Sequence, residues 1–458
     1  MAVDRLTAED RLMLWSDEGW PQDIGALAVL DGRALLDSDG RFRIDAAREE
    51  IERRLHLLPR FRQILYQPRR GRGWPLWVDA PGFDLRDHAR VAQVPDPGDE
   101  AQLLLATEQL RCHRLDRSRP LWEICFLPGL PDARIGLFIR LHHVIADGIA
   151  SVAGLGSLLD ADPGTTTAPA PPWTPGPPPT DRELLGDNLR RRADELSHAV
   201  NVFAHPATTL RHGRAGWPAM RELLAQQPGP RTSLNRLVGP RRSLALIRSD
   251  LDLVTQVAHA HAATVNDVLL AMTAGGLRGL LRSRGEPVDG LTLPIYVPVS
   301  LRRDRTRPGA GNLISQMVVP LPLGTSDPGD RLRQIAAATT IRKANTRPSL
   351  GTVFRSKVLA RAMLPLIAKK RVNIESADLP GPPAPLYFSG AQLLEVFPLL
   401  NLIGNVSLGV GALSYAGQFN IMAVGDADAY PDIEVFTASA RNELQTLSGA
   451  RKPVTQSQ

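Results

Sequence analysis

Cysteine is nearly absent from this chain of 458 residues: Cys112 and Cys125 are the two. They support neither a disulfide framework nor a cysteine zinc site, and two thiols in so long a chain fit a reducing compartment. Lysine is scarce too, limited to Lys343, Lys357, Lys369, Lys370 and Lys452, so the excess of 54 Lys+Arg over 48 Asp+Glu is carried by arginine. No zinc-finger spacing, basic zipper or aromatic RNA-binding signature occurs, which leaves an anionic membrane surface or phosphorylated substrates ahead of nucleic acid as partners. No window approaches the ~20 apolar residues of a spanning helix. The N-terminus, MAVDRLTAEDRLMLW, is charged from Asp4 onward and lacks the apolar core of a signal peptide. The expectation is a cytoplasmic protein, soluble or peripheral to a membrane.

What is present is ordinary globular composition, with 43 % hydrophobic and 22 % charged residues. The length allows two or three domains. The one clear seam is the stretch DADPGTTTAPAPPWTPGPPPT from Asp160 to Thr180. Proline and glycine remove donors and helix propensity there, so it reads as an extended, solvated linker. It divides a first domain, residues 1–160, from a connecting helix and second domain, residues 181–458, with 161–180 between them.

Short apolar runs alternate with helical patterns on both sides. Ala101–Leu110 has helical spacing. Leu121–Leu127 and Ile135–Leu141 are apolar runs joined by turn residues Pro128, Gly129, Pro131 and Asp132, which predicts a hairpin. Ile149–Leu159 reads as a helix leaving that hairpin, and Asp181–Phe203 as a long connecting helix. Thr264 reads as an N-cap with Asp267 at the capping-box position, opening a helix that stops at Gly285. Further strands are expected at Leu291–Ser300, Ile314–Leu323 and the hairpin-like Leu408–Val424. Strands mixed with helices imply an α/β fold with two domains.

The sharpest feature is His142-His143-Val144-Ile145-Ala146-Asp147-Gly148, directly after an apolar strand. Adjacent residues at a strand end point to opposite sides, so one imidazole can face a cleft while the other packs inward. Imidazole titrates near neutrality and can take a proton from a hydroxyl. Asp147 can orient a neighbouring arginine or backbone group, and Gly148 permits a tight turn. The plainer alternative is a histidine pair packed at a strand terminus. A metal site is a weaker reading, because diverging neighbours chelate one ion poorly. No GxSxG elbow occurs, which argues against a serine hydrolase of that type.

These residues, with several others in order along the chain, resemble the bacterial wax ester synthase/acyl-CoA:diacylglycerol acyltransferase family. Pro120-Leu121-Trp122-Glu123 matches its PLWE stretch, Asn266-Asp267 its ND motif, and Pro298-Val299-Ser300-Leu301-Arg302 followed by Gly311-Asn312 its PVSLR…GN segment. Leu413-Ser414-Tyr415-Ala416-Gly417 matches its LSYAG. HHxxxDG alone also occurs in condensation domains of peptide synthetases. The family's serine–asparagine–valine–proline–glycine–proline stretch corresponds to Ala377–Pro382, so Asp378 stands where the family has an amide, and Leu313 replaces a commoner arginine.

The resemblance implies two chloramphenicol-acetyltransferase-like domains with mixed sheets and a central tunnel. It implies an enzyme without a resident cofactor that takes acyl-CoA as co-substrate and diacylglycerol or a long-chain alcohol as acceptor. His143 would be the general base, with His142, Asp147 and Gly148 in support and Asp147 paired to Arg302. Asn266, Asp267, Arg302, Asn312 and Ser414 would contact substrate, and Arg302, Arg303 and Arg305 are candidates for the CoA phosphates. Trp122 and Glu123 read equally well as strand packing and a buried ion pair.

An insoluble product implies a peripheral membrane or lipid-droplet surface as partner. Val353–Val372 and Asp181–Phe203 set arginines or lysines among aliphatic residues, as interfacial helices do. Val396–Ile403 suits an acyl-tunnel wall or a buried strand. Two alternatives remain open from the residues: a catalytically weak or inactive lipid-binding paralogue, and a condensation-type amide-forming domain.

Overall fold

The structure is a computed structural model that describes residues 3–7, 10–11, 13–14, 17, 19–145, 154–165, 168–204, 229–300, 314–343 and 372–449. In chain order the strands and helices are β1 (Asp23–Asp31), α1 (Ile44–Arg54), β2 (Gln63–Tyr66), β3 (Leu76–Asp79), β4 (Ala89–Val91), α2 (Glu100–Cys112), β5 (Trp122–Leu127) and β6 (Arg134–His142). Then follow α3 (Asp181–Ala204), β7 (Arg242–Asp250), α4 (Leu251–Ala260), α5 (Val265–Ser283), β8 (Thr292–Ser300), β9 (Ile314–Pro322) and α6 (Pro328–Lys343). The chain closes with β10 (Ile374–Pro380), β11 (Tyr387–Phe388), β12 (Ala391–Leu399), β13 (Leu408–Tyr415), β14 (Gln418–Asp426) and α7 (Ile433–Leu447).

Two six-stranded mixed sheets carry the fold, in the orders β11-β12-β1-β6-β5-β4 and β7-β14-β13-β10-β8-β9, and β2 and β3 pair separately. The expected hairpin is β5–β6, antiparallel, with Trp122 opposite Leu141 and Glu123 opposite Arg140. Both of its strands are interior to the first sheet and buried on both faces, their buried side chains apolar except for Glu123, Arg140 and His142, so they lack the polar alternation of a half-exposed sheet. Gly25 lets β1 close against β6: a Cβ there would stand 2.2 Å from the Ile139 carbonyl oxygen.

The first sheet takes β11, one of its edges, and the adjoining β12 from the second half of the chain, with β12 antiparallel to β1. The expected stretch Val396–Ile403 thus contributes the end of β12, an interior strand of the first sheet in which Phe397 and Leu399 are buried, and leaves the strand after Leu399. The Pro-rich stretch gives no hint of this exchange, because an apolar strand reads the same whichever sheet receives it.

The linker itself begins anchored rather than solvated. Asp160 exchanges both backbone hydrogen bonds with Tyr387, at 2.7 and 2.8 Å, and its carboxylate accepts from Arg54 at 2.6 Å. Most residues beyond it are exposed, although Trp173 sets its ring edge-on to Phe83 and beneath the Arg62 guanidinium.

α5 starts as the sequence predicts. Thr264 Oγ1 accepts from the Asp267 N–H, and Asp267 Oδ2 accepts from the Thr264 N–H at 2.9 Å, a reciprocal capping box. The helix ends before Gly285, whose φ of +74° lies in the left-handed region. α3 covers the connecting helix, whereas of the helix expected at Ile149–Leu159 residues 149–153 lie outside the described residues, 154–156 are helical and 157–159 form a turn and a bend. Cys125 is buried on β5, and Cys112 closes α2; burial pushes the Cys125 thiol up to about 12.

Candidate active site

β6 delivers His142 as its last residue, opposite Asp23, the first of β1. His142 is 2 % exposed, and its Nδ1 accepts the Val144 N–H at 3.1 Å. A ring nitrogen that accepts carries no proton, so the neutral ring holds its hydrogen on Nε2. Nε2 faces Asp17 Oδ1 at 3.3 Å, longer than an ideal N–H···O bond. His143 is the first residue past the strand. Its N–H donates to the Gln22 carbonyl at 2.7 Å, and its half-buried ring keeps Nδ1 away from water. The His142 carbonyl accepts from the Ile145 N–H at 2.9 Å, closing the turn.

Charged residues converge beneath this turn. Arg140 is buried and donates to Glu123 Oε2 at 2.8 and 3.2 Å, with Asp23 Oδ2 3.6 Å away. It also donates to the Arg111 and His113 carbonyls. Arg90 bonds the other Glu123 oxygen. The Glu123 of the PLWE stretch is therefore a buried ion-pair member. Trp122 packs, stacking on Phe61 and His88 at 4.5 and 4.7 Å while its indole N–H donates to the Phe61 carbonyl.

Burial pushes the Asp23 carboxyl up, opposed by Arg140. Burial acts upward on Asp17 as well, but the His142 ring 3.3 Å away and hydrogen bonds from Arg117 and the Gln22 N–H outweigh it and hold this carboxyl well below the usual range. A cavity of about 380 Å³ opens alongside, lined by Asp17, Pro21, Asp23, Arg114, Arg117 and His142 among others.

The candidates from the second half of the chain are placed as follows. Asn266 is half-buried in the first turn of α5. Asp267 gives one oxygen to Thr264 and the other to the Thr339 hydroxyl at 2.7 Å, so the cap and α6 occupy its carboxylate. Ser414 lies on β13 beside β10, and its hydroxyl oxygen accepts the Gly381 N–H at 3.2 Å.

Asp378 is half-buried on β10, where burial, partly offset by Lys343, pushes its carboxyl up to about 6. Glu375, on the same strand opposite Tyr296, is pushed by burial up to about 7. Asp147, Gly148, Arg302, Arg303, Arg305, Asn312 and residues 353–371 lie outside the described residues. Among the described residues no group of three or more His, Cys, Asp or Glu side chains is arranged to hold a metal ion.

Sequence reading missed Asp17, Gln22, Asp23 and Arg140. The only signal for Asp23 and Arg140 was a charge inside each of two strands that otherwise bury apolar side chains. Asp17 stands 125 positions before His142, and nothing local marks it.

Two mixed sheets with a paired histidine ending a central strand define the CoA-dependent acyltransferase class of α/β fold. Residues 6–269 match the wax ester synthase/diacylglycerol acyltransferase catalytic domain, and residues 310–448 match the C-terminal domain of the same family. The chain belongs to this wax ester synthase/diacylglycerol acyltransferase family, whose members are O-acyltransferases.

A curated Mycobacterium tuberculosis relative, named provisionally a diacylglycerol O-acyltransferase, is 30 % identical, with 98 % of this chain and 95 % of the relative covered. A second from that organism, named a probable diacylglycerol O-acyltransferase, is 29 % identical over 89 % of this chain and 87 % of its own. Among solved structures, the wax ester synthase/diacylglycerol acyltransferase of Marinobacter aquaeolei superposes with a TM-score of 0.70 at 22 % identity, covering 97 % of this chain and all of that one. The first condensation domain of the CDA synthetase shares the fold at a TM-score of 0.63 and 15 % identity, with 99 % and 98 % covered.

Proposed function

We propose that this chain transfers a long-chain acyl group from acyl-CoA to the hydroxyl of diacylglycerol, and also of long-chain alcohols, with His143 as general base. The observation that carries the reading is the fixed turn at the end of β6, where the His143 backbone is tied to Gln22 and its ring sits at the boundary between core and solvent. In the reaction His143 takes the proton from the acceptor hydroxyl as its oxygen attacks the thioester carbonyl carbon. The tetrahedral oxyanion then collapses, the C–S bond breaks, and the protonated imidazole returns the proton to the CoA thiolate. The thioester is already activated, so no covalent enzyme intermediate is needed. Base catalysis of this kind contributes roughly 10²–10⁴-fold, and orientation supplies much of the remainder.

The acceptor and product are insoluble, so the reading includes contact with a lipid surface. Among the described residues no helix is long and apolar enough to cross a membrane. Peripheral attachment is supported by α3, on which Leu185, Leu189 and Leu196 are 38, 57 and 67 % exposed. Their spacing of four and seven places them on one face, with Arg190, Arg191 and Arg192 exposed beside them.

The test is release of free thiol from palmitoyl-CoA in the presence of dioleoylglycerol, hexadecanol, or an aminoacyl carrier protein. Release that depends on either lipid acceptor supports the proposal. Release with the aminoacyl acceptor alone makes the chain a condensation enzyme, and no acceptor-dependent release makes it a binding protein.

A further inference from the structure

We propose that Asp17 is a positioning residue for His143, acting on the two peptide groups that flank it. The inference rests on His143 as the base and extends it to a carboxylate far away in sequence. A single Asp17 oxygen, Oδ1, starts two routes. It accepts the Gln22 N–H at 2.9 Å, and the Gln22 carbonyl accepts the His143 N–H at 2.7 Å. The same oxygen faces His142 Nε2 at 3.3 Å, and His142 Nδ1 accepts the Val144 N–H at 3.1 Å. His143 is therefore gripped on its N-terminal side through Gln22 and on its C-terminal side through His142.

The second route works in one tautomer only. A carboxylate accepts and cannot donate, so its presence favours the Nε2–H form of His142. That form leaves Nδ1 free to accept from Val144. The opposite tautomer would set two donors, Nδ1–H and the Val144 N–H, against each other and open the turn.

Packing does not replace this control. His142 and Asp17 line the cavity of about 380 Å³, so one side of the pair is not held by core side chains. Among the described residues, the other charged groups around the pair are Arg117 on the second Asp17 oxygen, Arg114 on the Asp17 carbonyl at 3.0 Å, and Asp23 with Arg140 at the β1–β6 end. The two arginines fix Asp17 in place. Asp23 lies opposite His142 in the strand register and pairs with Arg140.

Two measurements test the proposal. The first is the ring ¹⁵N shift of His142 in protein labelled at histidine, assigned by its loss in His142→Gln. The wild-type protein should show the Nε2–H tautomer, and a Nδ1–H form would overturn the proposal whatever the variants do. The second is acceptor-dependent thiol release by Asp17→Asn and Asp17→Glu. Asparagine keeps the size and an acceptor for Gln22 but removes the charge, so kcat should fall by about tenfold or more while KM for palmitoyl-CoA stays within about twofold. Glutamate should recover part of that loss. Wild-type kcat in Asp17→Asn would contradict the proposal. Failure of the base reading is seen separately, as release that survives His143→Ala, and the tautomer reports on Asp17 in either case.

Discussion

Arg140 and Glu123 face each other across β5 and β6, two Arg140 nitrogens lying 2.8 and 3.2 Å from one Glu123 oxygen, two residues before His142. Both side chains are buried, so each needs the other to offset lost hydration. Glu123→Ala leaves a guanidinium in the core with only Asp23 and two carbonyls as partners. The expected loss is about 3 kcal/mol, near the low end for a broken buried pair because those partners remain. Urea unfolding measures it, and a loss under about 1 kcal/mol would show the pair to be dispensable.

The α5 cap offers a second stability test. Asp267 completes a capping box with Thr264 and also accepts the Thr339 hydroxyl, which is buried on α6. Asp267→Ala removes both and leaves the hydroxyl with only its own helix carbonyl. A loss of about 1–2 kcal/mol is expected by thermal or urea unfolding.

Glu375 makes stability depend on pH. Its ordinary value is 4.5, and burial raises it to about 7 in the folded chain. Between these values the folded state binds more protons than the unfolded one, so the contribution present below pH 4.5 is lost as pH rises through 7. Glu375→Gln abolishes that loss. The variant should gain on the wild type between pH 5 and pH 8 by on the order of 3 kcal/mol or less. Urea midpoints at the two pH values measure the gain, and an equal difference at both would contradict it.

The exposed stripe on α3 predicts lipid binding. Leu189→Glu together with Leu196→Glu places charge on the face that would enter a lipid surface. Co-sedimentation with phosphatidylglycerol vesicles should fall several-fold while the melting temperature holds, since both side chains already face solvent. Undiminished binding would remove this face from the account.

Legibility in the sequence followed how local each signal was. The β5–β6 hairpin and the capped start of α5 depend on residues within a few positions of one another, and both were readable. So was the His142–His143 pair, because a strand and a turn frame it within ten residues. The crossing of β11 and β12 into the first sheet was not readable, since pairing partners leave no mark on an apolar run. The Asp17–Gln22 segment is the same case at the site: its contacts with His142 and His143 join residues more than a hundred positions apart. Asp267 shows the converse, since its motif could be read both as a helix cap and as a substrate contact, and the structure shows one of its oxygens engaged by the cap and the other by Thr339 of α6.

The most direct test of the central claim is the acceptor-dependent rate of thiol release from palmitoyl-CoA with dioleoylglycerol, compared between the wild type and His143→Ala at matched folded concentration. Loss of a general base predicts a fall of about 10²–10⁴-fold in kcat with the fold intact. A rate within a few-fold of the wild type would contradict His143 as the group that takes the hydroxyl proton.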